Sequence, residues 1–274
     1  MTQETEEKII AVFCDFENIA IGVRESNYEE FDIDKVLERL LLKGNIVVKK
    51  AYCDWARYQD FKPSMHEASF ELIEIPHVRQ SGKNSADIRM VVDALDLCYT
   101  KEHVDTFAII SGDSDFSPLV SKLRENNKMV IGVGVKNSTS DLLIANCDEF
   151  IYYDDLVKKK KSREKASKAA AKKKSQRASK NKKAISAEDK KKEEAWDLIV
   201  ETFEALLEER GDKGKIWGSM IKQALKRRKP GFSESYYGFK SFGAMLEEAE
   251  ARGILELERD QKSGGFIVKN SHLD

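Results

Sequence analysis

The sequence predicts an α/β protein: a mainly parallel sheet with helices on both faces, followed by a small winged helix-turn-helix domain. Three observations carry this. Over the first 155 residues, short β-rich apolar runs alternate with helical patterns, as in strands joined by crossover helices. A Lys-, Ala- and Ser-rich stretch with no apolar stripe then breaks the pattern. Beyond it, three apolar stripes at helical spacing precede two short strands.

The first strand is IIAVFC, ending at Cys14, and "VFCDFENIA" places Asp15, Glu17 and Asn18 in the loop that follows. DKVLERLLLKG reads as a helix with a Gly stop, and IVVKKAYC as the second strand. SMHEASFEL reads as a helix and LIEIPHV, residues 72–78, as the third strand. The helix DIRMVVDALDL opens at Asp87, after "SGKNSAD", where Lys83 is a candidate phosphate contact. TFAII is the fourth strand. Ser111 and Gly112 then make a tight turn into a helix that begins at Asp113 and Asp115 and continues through Phe116, Leu119, Val120 and Leu123. MVIGVGV, the helix SDLLIANC and the strand EFIYY complete the first domain, residues 1–156.

Residues 157–192 read as a basic flexible linker. Between Lys158 and Lys183 stand fourteen Lys or Arg against the single Glu164. The whole chain nets -1, so this local excess of thirteen leaves -14 for the remainder. Such a segment suits a nucleic-acid backbone through counterion release. In residues 193–274 the stripes are Trp196, Ile199, Phe203 and Leu206; Trp217, Met220, Ile221, Ala224 and Leu225; and Phe242, Met245, Leu246 and Ala249. GILELER, the turn DQKSGG and FIVK form the wing. KRRKPGFSESYYGFKSF interleaves cations with aromatics: Phe239 and Phe242 belong to the core, and Arg227, Arg228, Lys229 and Lys240 are candidate RNA contacts.

Cys14, Cys53, Cys98 and Cys147 form no C-x-x-C pair, and the four histidines have no metal-ligand spacing. The cysteines therefore read as reduced, intracellular packing residues. With no signal-peptide core and no apolar run of spanning length, the expected setting is soluble and cytoplasmic.

In a parallel sheet, sites lie beyond the carboxyl ends of the strands. That rule gathers Asp15, Asp87, Asp113 and Asp115 at one edge. As separate helix caps they are unremarkable, but together they repel one another unless a divalent cation neutralises them. Ser111 is a supporting residue beside them. Asp93, about 240° around the helix from Asp87, faces elsewhere and is also placed as supporting.

Four segments in order, "AVFCDFENIA", "SADIRMVVDALDL", "ISGDSDFSPLVSKLRENNKMVIGVGV" and "SDLLIANCDEFIYYDDL", resemble the NYN family, a branch of the PIN-like nucleases, over roughly residues 8–156. "PGFSESYYGFKSF", "SFGAML" and the wing resemble the OST-HTH or LOTUS domain. The resemblance implies a PIN-like α/β/α sandwich and an Mg²⁺- or Mn²⁺-dependent ribonuclease. Asp15, Asp87, Asp113 and Asp115 match its metal-site acids, and Asn18 its Asn after the first strand; no role transfers to Glu17. It further implies RNA, or in some members a protein, as partner of the C-terminal domain.

The expected activity is metal-assisted hydrolysis of RNA phosphodiester bonds. A haloacid-dehalogenase-like phosphatase needs Asp-x-Asp after the first strand, where this chain has Asp15-Phe16-Glu17. "GVGVKN" lacks the third Gly of a dinucleotide fingerprint, and no P-loop occurs. The remaining alternative is a non-catalytic RNA-binding or assembly protein with the first domain as scaffold.

Overall fold

The structure, a computed structural model, describes residues 7–28, 30–75, 85–158, 187–211, 214–261 and 264–272. The chain forms two units that part near residue 162.

The first unit is a six-stranded sheet with every pairing parallel. Its strands are β1 (Lys8–Asp15), β2 (Gly44–Cys53), β3 (Glu71–Glu74), β4 (Thr106–Ile110), β5 (Met129–Gly134) and β6 (Glu149–Tyr152), in the spatial order β3-β2-β1-β4-β5-β6. The helices are α1 (Phe16–Glu25), α2 (Ile33–Leu41), α3 (Lys62–Glu67), α4 (Ser85–Thr100), α5 (Ser117–Glu125), α6 (Asp141–Asn146) and α7 (153–158).

Strand periodicity explains the two-sided burial. Ile10, Val12 and Cys14 point to the face packed with Ile19, Val23, Val36 and Leu40 of α1 and α2. Ala11 and Phe13 point to the other, packed with Met90, Ala94, Leu119 and Leu123 of α4 and α5. Phe13 and Phe107 stack across β1 and β4 at 6.0 Å. A sheet buried on both faces needs continuous apolar strands, and TFAII is buried at every residue. This α/β fold with a parallel sheet fits a PIN-like core.

Several local expectations are corrected. Asp15 closes β1, and Glu17 and Asn18 lie in the first turn of α1 rather than in a loop. Phe16, Ile19 and Val23 form its buried stripe, and Asp15 caps it. The helix expected through SMHEASFEL ends at Glu67, because Ser69 turns with φ 59° and buried Phe70 leads into β3. Strand β3 is described over Glu71–Glu74; the rest of the expected strand, from residue 76, lies outside the described residues. So do nearly all of the 157–192 segment up to residue 186 and Lys83.

The second unit has helices α8 (Ala187–Arg210), α9 (Gly218–Arg228) and α10 (Phe242–Ala251), and an antiparallel sheet ordered β7-β9-β8 from Ile216–Trp217, Phe266–Ser271 and Leu255–Arg259. Trp196, Phe203, Ile221, Leu225, Met245, Leu246 and Val268 share its core with Phe239 and Phe242. Trp217, expected on a helix, lies in β7, and α9 starts one residue later at Gly218. Among the described residues no helix is long and apolar enough to cross a membrane, and the four cysteines are free thiols.

Candidate active site

The order β3-β2-β1-β4-β5-β6 reverses between β1 and β4, so a crevice opens beyond their carboxyl ends. Asp15 ends β1, and Ser111-Gly112-Asp113 leave β4 beside it. Asp15 is 7 % exposed. Its Oδ1 accepts from the Asn18 backbone N–H at 3.3 Å, and its Oδ2 accepts from the Ser111 hydroxyl at 2.9 Å. Ser111, fully buried, in turn accepts from the Asp113 N–H at 3.2 Å. One hydroxyl thus ties the acid after β1 to the turn after β4.

Asn18 holds the same turn from the other side. Its side-chain oxygen accepts from the Gly112 N–H at 2.8 Å, and the Gly112 carbonyl accepts from the Ser140 N–H at 2.9 Å. Gly112 is required by close approach rather than by a left-handed turn: a Cβ there would stand 2.3 Å from the Ser138 carbonyl oxygen. Asp113 caps a short 3₁₀ turn by accepting from the Asp115 N–H at 2.9 Å, and Asp115 is exposed on that turn.

The electrostatics join these acids to Asp87, in the first turn of α4. Burial, then the Asp87 carboxylate and more weakly Asp113, push Asp15 up to about 7 against the Ser111 and Asn18 hydrogen bonds. Burial and the charges of Asp113, Asp115 and Glu17 push Asp87 up to about 6. All four expected acids therefore share one field, with Glu17 at its edge. Among the described residues, however, no three His, Cys, Asp or Glu side chains are drawn together as a ready metal cage. The donors fit a hard divalent cation in type and in charge, being carboxylate oxygens that repel one another.

Asp93 is engaged with other partners. It accepts from the Tyr52 hydroxyl at 2.9 Å and from Arg89 Nε at 3.0 Å, with Lys50 Nζ at 3.5 Å, and so fastens α4 to β2. In the second unit Lys229 and Lys240 are exposed, Arg227 is half-buried, and Arg228 pairs with Glu201 at 2.8 Å.

Two features escaped the sequence reading. Arg57 pairs with Glu17 at 3.2 Å and brings a cation to the rim of the acids. Ile88, Val92 and Leu142 are exposed apolar residues lining a groove beside Asp87 and Asp115. Ile88 and Val92 lie one helical turn apart but off the buried stripe of Met90, Ala94 and Cys98, and that off-stripe pair was the one signal in the sequence.

The NYN domain model matches residues 9–154, more than half of the chain. The chain belongs to the NYN domain family. This NYN protein is 30% identical over 112 residues to an uncharacterized protein of Methanocaldococcus jannaschii, a match covering 41% of this chain and 43% of that one. The chain thus spans less than half the length of that relative. It is also similar to a crystal structure of a protein of unknown function from Vibrio parahaemolyticus, with 28% identity and a TM-score of 0.50, over 56% of this chain and 98% of that chain.

Proposed function

We propose that this NYN protein is a divalent-metal-dependent ribonuclease that hydrolyses RNA phosphodiester bonds, with a C-terminal RNA-binding module. The observation that carries the reading is the gathering of Asp15, Asp87, Asp113 and Asp115 about the β1/β4 crevice, where burial first, and then the charges of Asp87 and Asp113, raise Asp15 to about 7. An acid pocket left to itself repels a phosphate. The same acids around a cation attract it.

Asp15, Asp87, Asp113 and Asp115 would hold Mg²⁺ or Mn²⁺, which supplies an acidified water and offsets charge developing on the phosphate. The chain's own groups fix the acids. Ser111 and the Asn18 N–H orient the two oxygens of Asp15, while Asn18 Oδ1 sets the turn that carries Asp113. Arg57, released from Glu17 by an incoming anion, is placed to contact a phosphate at the rim. No Ser or Cys paired with a His base is needed for this chemistry.

In the second unit, three helices with an antiparallel hairpin support a winged-helix module of the OST-HTH type. Lys229 and Lys240 are exposed and suit phosphates, and the exposed Tyr236 suits an unstacked base. Lys83 and the fourteen cations between Lys158 and Lys183 add the charge that draws RNA toward an otherwise acidic chain.

A thermal shift separates this reading from a scaffold that only binds RNA. Mn²⁺ raises Tm in the wild type and not in Asp113→Asn if the acids hold the ion. Equal indifference to Mn²⁺ in both proteins contradicts the nuclease.

A further inference from the structure

A groove of about 710 Å³ opens beside the acids. It lies between α4, α5 and α6. Ile88 is 63 % exposed, Val92 55 % and Leu142 57 %. Helix α4 already buries one apolar stripe in the sheet, so Ile88 and Val92 form a second apolar face that folding does not require. Two further facts narrow what belongs there. The groove shares Asp87 and Asp115 with the acid centre. It is also lined by Ser117, only 6 % exposed, whose buried hydroxyl has no hydrogen-bond partner among the described residues. A buried hydroxyl left unpaired is costly, and a rotation about χ1 can offer it to a ligand.

We propose that this groove is a nucleobase subsite: it takes an unstacked base of a single-stranded RNA whose phosphate lies at the acids. The proposal rests on the nuclease reading and names the substrate form that reading requires. A base is flat and apolar on its faces, matching Ile88, Val92 and Leu142, and carries polar edge atoms that can pair with Ser117. An apolar helix from a protein partner fits less well. It would press Asp87 and Asp115 against a surface with no compensating charge, whereas a nucleotide leaves its phosphate and their shared counterion in water. Paired RNA keeps its bases stacked and cannot fill the groove.

The test measures binding by the full chain, by anisotropy in Ca²⁺ buffer, of a labelled single-stranded RNA heptamer and of the same strand with an abasic central nucleotide. In the wild type the missing base weakens binding roughly tenfold. In the double variant Ile88→Ser, Leu142→Ser, whose changes are both at exposed sites, the penalty shrinks below about twofold, the non-additivity expected of groups in contact. Tyr99→Ser, on α4 but not lining the groove, keeps the full penalty. Equal penalties in wild type and double variant overturn the proposal. A lower sedimentation coefficient for the double variant also overturns it, and gives the face to a second copy of the chain. Because the readout is binding, a chain that behaves as expected here yet never cuts RNA would sink the nuclease reading and leave the base subsite in place.

Discussion

Asn18 is the residue on which the site's geometry most depends. It touches both halves of the crevice: its N–H meets Asp15, and its side chain meets Gly112. Asn18→Ala leaves the buried Gly112 N–H unpaired, and we expect it to destabilise the protein by about 1–3 kcal/mol in urea unfolding, with loss of activity beyond that due to unfolding. Asp15 makes a second prediction. Its folded pKa, near 7, lies above the ordinary carboxylate value, so the folded state holds its proton where the unfolded state has lost it. The stabilisation it gives is full below the unfolded value near 4 and is lost as pH rises through about 7. Asp87, raised to about 6, acts in the same direction over a lower window. Without metal, Tm should therefore fall between pH 5 and pH 8, and Asp15→Asn should flatten that fall. An unchanged slope in the variant would mean that Asp15 is not the proton holder.

At the scale of elements, the turn after β4 is wedged against residues 138–140. Gly112→Ala places a methyl group 2.3 Å from a backbone oxygen that cannot swing away. It should cost about 1–3 kcal/mol of stability and shift Asp113, detectable as a weaker Mn²⁺-induced thermal shift. In the second unit Ser241 caps α10 by accepting from the Ala244 N–H, and Ser241→Ala should cost about 1 kcal/mol there. The same elements mark what the sequence made legible. TFAII and Met129–Gly134 were readable because strands buried on both faces carry continuous β-rich runs. Helix α1 was not: its acidic first turn, Glu17 beside Asp15, looked like loop chemistry, and only packing reveals the stripe of Phe16, Ile19 and Val23. The acids were legible because each follows a strand or opens a helix. The Ser111 bridge, the Asn18 clamp and the Arg57–Glu17 pair join residues 40 or more positions apart, and no local pattern encodes such distances.

For the molecule as a whole, charge is divided by region. An acidic first unit and a Lys- and Arg-rich stretch sit on one chain of net charge -1. RNA affinity should therefore fall steeply with salt. Changing Lys229 and Lys240 to Gln should weaken binding evenly across sequences and lower the salt slope by about 1 for each phosphate no longer neutralised, without changing the cutting rate of bound RNA. The central claim is that the acids at the β1/β4 crevice hold a metal that cuts RNA. Its most direct test is cleavage of labelled single-stranded and structured RNAs by wild type and Asp113→Asn, each with Mn²⁺, Mg²⁺ or EDTA. The Asn variant keeps an oxygen to cap the 3₁₀ turn, so it isolates the charge. We predict products only from wild type with metal, and from single strands first. RNA bound by both proteins and cut by neither, under every metal condition, would contradict the account and leave an RNA-binding scaffold.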